Sequence, residues 1–117
     1  MEQQNLLDRT TIVALSTPPG LSAIALIRLS GNDAITITNK VFDKDILNAN
    51  GYSVHYGSIK NEENAIDDVI VTIFKGPKSF TGENSVEIAC HGSTFIQQSI
   101  IELLLQNGAT MAQAGEF

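Results

Sequence analysis

The chain has 117 residues, 43% of them apolar, with 13 acidic against seven basic side chains and a net charge of −6. That length suits one domain with a real core. The basic residues Arg9, Arg28, Lys40, Lys44, Lys60, Lys75 and Lys78 are too scattered to form the phosphate-neutralising stripe of a main nucleic-acid surface, and the acidity argues against anionic membranes.

No apolar run reaches the roughly 18 residues of a bilayer span. The polar start, residues 1–5, lacks the basic region of a secretion signal. A single cysteine, Cys90, excludes an internal disulfide, which points to a cytoplasmic setting.

In chain order, residues 11–15 are short, apolar and β-branched, which predicts a first strand. Pro18-Pro19-Gly20 breaks it into a rigid turn. Residues 22–29 form a continuous apolar run, hence a central second strand. Ser30-Gly31-Asn32-Asp33 opens a helix in a capping-box variant, with Ala34, Ile37 and Val41 on one face and an end at Phe42. A polar loop covers 43–51. Strands follow at 52–59 and 66–74, the second with Val69, Val71 and Ile73 on one face, and a short polar loop makes them a hairpin.

After a Gly/Pro loop at 75–82, residues 85–91 form a fifth strand. Thr94 and Gln97 then read as a capping box for a helix carrying Ile96, Ile100, Leu103 and Leu104, stopped by Asn107-Gly108. Residues 109–112 suit one more short strand. The predicted fold is α+β, a mixed and mainly antiparallel sheet in the order β-β-α-β-β-β-α with the helices packed on it. The ending Gly115-Glu116-Phe117 has no polar tail, which suggests a cut within a longer protein.

Two charges stand inside apolar strands, Arg28 and Glu87. Such charges cost free energy unless paired or used on a ligand. Two roles are open to Arg28: an ion pair with Glu87 across the sheet, or a grip on an anionic or carbonyl-bearing ligand. Glu87 has the same choice, since a carboxylate can accept two N–H groups from an amide-like heterocycle edge. His91 shares its face with Glu87 and has three possible roles: general base, ligand contact, or hydrogen bonder at the helix entry. Cys90 points the other way, into the core. His55 falls on an exposed side. The helix start at Gly92-Ser93-Thr94 exposes N–H groups suited to an anion. Two His and one Cys do not make a zinc set, and no phosphate-cradling Gly-rich loop with Lys-Ser/Thr occurs.

Thr11-Ile12-Val13-Ala14-Leu15, Thr17-Pro18-Pro19-Gly20, Ala25-Leu26-Ile27-Arg28-Leu29-Ser30-Gly31, Ser79-Phe80-Thr81-Gly82-Glu83, Val86-Glu87-Ile88, His91-Gly92 and Gly115-Glu116-Phe117 occur in an order that resembles one family. It is the N-terminal domain of the tRNA modification GTPases MnmE, also called TrmE. The resemblance runs from about Thr11 to the last residue. It implies that residues 1–117 are a single tetrahydrofolate-binding and dimerisation domain, similar to folate-binding aminomethyltransferases, whose parent also carries helical and GTPase domains absent here.

The family's cofactor is a tetrahydrofolate derivative, 5-formyl- or methylene-tetrahydrofolate, bound near the dimer interface. Potassium and magnesium belong to the absent GTPase domain. With the flavoprotein MnmG, also called GidA, the full protein uses GTP and builds a carboxymethylaminomethyl-type group on the wobble uridine of certain tRNAs. Two family folate contacts fall on Arg28 and Glu87; a third is a lysine beyond Gly-Glu-Phe. No catalytic residue and no metal ligand is assigned within the chain. Leu21-Ser22-Ala23 and Ser93 depart from the family's glycine-rich patterns at the pocket walls. The rival readings are a dimerisation scaffold without competent folate binding and a stand-alone aminomethyltransferase-like enzyme, which the ending disfavours.

Overall fold

The β-branched apolar runs become strands, and the strands join in one sheet. A computed structural model describes residues 10–18, 20, 23–76, 83–113 and 115–117. Its elements are β1 (Ile12–Leu15), β2 (Ile24–Ser30), α1 (Ala34–Val41), β3 (Ser53–Lys60), β4 (Ala65–Phe74), β5 (Ser85–His91), α2 (Thr94–Gln106) and β6 (Thr110–Met111). The six strands lie in the order β3-β4-β5-β2-β1-β6. Every neighbouring pair is antiparallel except β1 and β6. The class is therefore α+β with a mixed sheet, as the sequence implies. β6 is parallel because α2 carries the chain back along the sheet after β5, so the chain re-enters running the same way as β5 and β1. The N–H groups of Thr110 and Ala112 donate to the carbonyls of Thr11 and Val13, both at 2.9 Å.

Strand alternation divides the sheet into two faces. One face presents Val13, Ala25, Ile27, Leu29, Val69, Val71, Ile73, Val86, Ile88 and Cys90, all buried, and both helices cover it. Ala34, Ile37 and Val41 of α1 and Ile100 and Leu104 of α2 supply the other half of that core. Each buried Val, Leu or Ile side chain contributes about 1.5–3 kcal/mol by leaving water. Ile46, inside the polar 43–51 loop, is also fully buried, and its N–H donates to Asn39 Oδ1 at 2.8 Å. Among the described residues no helix lies on the opposite face.

Three local expectations are corrected. Ser30 does not cap α1; it is the last residue of β2, and Asp33 at the N-cap makes no side-chain cap bond. Thr11 Oγ1 instead accepts from the Asp33 N–H at 3.0 Å. Thr94 does not cap α2: Ser93 does, its hydroxyl accepting from the Ile96 N–H at 3.0 Å. Gln97 is buried and donates to the carbonyls of Gly92 at 2.9 Å and Gly20 at 3.2 Å, tying α2 to the β1–β2 loop. His55 is half-buried, opposite Val71, with its Nε2 2.8 Å from Ser53 Oγ. One-residue register decides that placement. The expectations that fall on Pro19, Leu21, Ser22 and residues 77–82 lie outside the described residues.

Candidate functional site

The uncovered sheet face holds the candidate site, and register builds it. Arg28 of β2 lies directly opposite Glu87 of β5. Thr72 of β4 flanks Glu87, and Ala14 of β1 flanks Arg28. One row across four strands thus reads Thr72, Glu87, Arg28, Ala14. The adjacent row reads Tyr56, Ile70, Ala89, Leu26, which is apolar. A polar stripe and an apolar stripe run side by side on an open surface.

Arg28 Nη2 and Nε both donate to the same carboxylate oxygen, Glu87 Oε2, at 2.8 and 3.2 Å. The side chains are 29% and 25% exposed. Among the described residues Glu87 Oε1 and Arg28 Nη1 have no partner. The structure therefore realises the cross-strand ion pair and leaves one acceptor and one donor group without a partner among the described residues. That is the pattern a flat ligand edge with an N–H donor beside a carbonyl acceptor can complete. Arg28 also lies 5.9 Å from the centroid of the Phe117 ring.

His91 shares the face, four residues along β5 from Glu87, but the structure does not bring it to the ion pair. Its backbone N–H donates to Asp67 Oδ2 at 2.8 Å, and its Nδ1 is 2.7 Å from Asp67 Oδ1. Asp67 is only 8% exposed while the imidazole stays open. Asp67 thus secures the end of β5, and the helix entry belongs to Ser93 rather than His91. Asp67 carried no recognisable signal in sequence; its partner lies 24 residues away. A shallow hollow of about 270 Å³ beside His91 is bordered by Ile24, Tyr56, Asp68, Ile70 and Ala89.

Cys90 is buried on the helix-covered face, as expected. Burial first, and then the negative charge of Asp67, push its thiol up from 9.0 to about 11. Folded protein therefore holds this proton more tightly than unfolded chain does. Stability linked to Cys90 is full below pH 9 and falls as pH rises from about 9 toward 11. Urea midpoints taken between pH 8 and 10.5 should drop more steeply for wild type than for Cys90→Val. Parallel curves would refute the linkage.

Comparison with known proteins gives a consistent set of matches. The family model described as GTP-binding protein TrmE N-terminus matches residues 11–117. The chain is 56% identical over 111 residues to the tRNA modification GTPase MnmE of Flavobacterium psychrophilum, which covers 92% of this chain and 24% of that protein. It is 54% identical over 108 residues to the protein of the same name from Cytophaga hutchinsonii, covering 92% and 24%. For that of Listeria welshimeri the identity is 46% over 109 residues, again covering 92% and 24%. The chain spans about a quarter of the length of these curated relatives.

Proposed function

Since the chain belongs to the TrmE N-terminus family, we propose that it is the tetrahydrofolate-binding, self-associating domain of a tRNA modification GTPase. The observation that carries this reading is the Arg28–Glu87 pair, set on an open face with one carboxylate oxygen uncommitted. A pterin ring presents N–H donors beside a carbonyl, which suits Glu87 Oε1 and Arg28 Nη1. The neighbouring apolar stripe of Tyr56, Ile70, Ala89 and Leu26 suits the aryl part of a folate and the face of a second copy. Val54, Tyr56, Ile70 and Ile24 are exposed there, and a stable homodimer would withdraw them from water.

When bound, the folate derivative supplies a one-carbon unit; this chain's residues hold and orient it and exclude water. In the full-length protein, GTP hydrolysis with potassium and magnesium resides in a further domain. With the flavoprotein MnmG, that protein modifies the wobble uridine of certain tRNAs in the cytoplasm. Among the described residues no helix is long and apolar enough to cross a membrane. A second reading, a dimerisation scaffold without folate binding, is favoured by the fact that Arg28 and Glu87 already satisfy each other's charge.

Calorimetric titration of this chain with 5-formyltetrahydrofolate, and light scattering across a concentration series, test the proposal. Saturable binding and a dimer mass are expected. A dimer that shows no heat at millimolar ligand would establish the scaffold reading instead. A monomer at high concentration would overturn the self-association.

A further inference from the structure

We propose that Phe117 is the aromatic wall of the Arg28–Glu87 site: its ring seats the guanidinium on the carboxylate and offers its open surface to a planar heterocycle held by that pair. The ligand class and the stacking role rest on the folate reading above; the contact of Phe117 with Arg28 does not.

The chain reaches this position by a defined path. After β6, the Ala112 N–H makes the last bond to β1, on Val13 O. A tight turn follows, in which the Glu116 N–H donates to Gln113 O at 3.0 Å and the Gln113 N–H donates to Glu116 Oε1 at 2.7 Å. Gly115 makes the reversal possible with φ +78, a conformation that side-chain-bearing residues avoid. The turn returns Phe117 from the β6 edge toward β2. Ala14, the β1 partner of Arg28, has only a methyl group and leaves room beside the guanidinium.

The result is an Arg28 held from two directions. Glu87 accepts two of its N–H groups, and the Phe117 ring lies 5.9 Å from its central carbon, within the range of a cation–π contact. A long, flexible side chain is thereby restricted before any ligand arrives, which lowers the ordering cost of binding. Phe117 itself is 39% exposed, so part of its ring is accessible. The ring adjoins Arg28, the residue that holds Glu87. Aromatic rings stack well on a phenyl face, and a pteridine-type ring bound edge-on to Glu87 would meet it.

The test is titration of this chain with 5-formyltetrahydrofolate, comparing wild type with Phe117→Leu, Phe117→Tyr and Phe117→Trp. Leucine keeps bulk but removes the π face, so affinity should fall about five- to tenfold. Tyrosine should restore it to within about twofold, a rescue that a merely space-filling role would not show. The chain has no tryptophan, so the indole of the Phe117→Trp variant is its sole such fluorophore. Its emission should be quenched by the ligand, and adding Glu87→Ala should abolish the quench. If wild type binds, Glu87→Ala loses binding, and Phe117→Leu binds like wild type, the role of Phe117 is overturned and the folate reading stands. If wild type itself does not bind, the folate reading falls and takes this ligand role with it.

Discussion

Replacing Glu87 with alanine should weaken binding of 5-formyltetrahydrofolate at least tenfold while the domain stays folded. Glu87 is about three-quarters covered, and its Oε1 has no partner among the described residues. A hydrogen bond to a charged group contributes about 1.5–3 kcal/mol, which corresponds to roughly ten- to hundredfold in affinity. Alanine removes that acceptor and also releases Arg28 from its two bonds, so the donor side of the site loses its orientation as well. Glu87→Gln should fall between wild type and alanine, since one acceptor oxygen survives without the charge. The effect on stability is modest, about 1–3 kcal/mol, because the pair is part-buried but the freed guanidinium keeps some access to water. Equal affinities for wild type and the alanine variant, measured by calorimetry on folded protein, would remove Glu87 from the site.

Gly31→Ala should be among the most destabilising single changes, at about 2–4 kcal/mol. Gly31 follows the last residue of β2 and has φ +142, a region closed to residues with a side chain. An added Cβ would lie 2.7 Å from Thr11 Cα, 2.6 Å from Thr11 Oγ1 and 3.0 Å from Thr10 O. Backbone atoms cannot swing aside as the tip of a long side chain can. Three other bonds depend on the same spot. The Gly31 N–H donates to Asn84 O at 2.9 Å, the Ala34 N–H to Gly31 O at 3.2 Å, and the Asp33 N–H to Thr11 Oγ1 at 3.0 Å. The junction of β1, β2, β5 and α1 would therefore loosen together, three residues from Arg28. Urea unfolding measures it directly; a loss below about 1 kcal/mol would show that the junction yields without cost.

Much of this was readable from local pattern. The run of Val69, Val71 and Ile73 announced a buried strand face, and all three are buried. Cys90 and Glu87 were separable by alternation alone, one to the core and one to the open face. The failures share a cause. Ser30 and Thr94 have good capping side chains, but the strand ladder took Ser30 and Ser93 had the better position for α2. Asp67, Gln97 and Phe117 act on partners 24, 77 and 89 residues away in the chain, and no spacing rule reaches that far.

By itself, the amino-acid sequence determined the strands, the helices, the burial of Cys90, the family, and the presence of two opposite charges in apolar strands. Those follow from backbone geometry and side-chain solubility, which act over a few neighbouring residues. Only the tertiary structure decided that Arg28 stands opposite Glu87, that the pair spends a single carboxylate oxygen, that the Phe117 ring lies beside Arg28, and that Asp67 bonds His91. Each of these depends on strand register and on the order in which strands assemble. Many distant contacts set that order jointly, so no single stretch of sequence carries it.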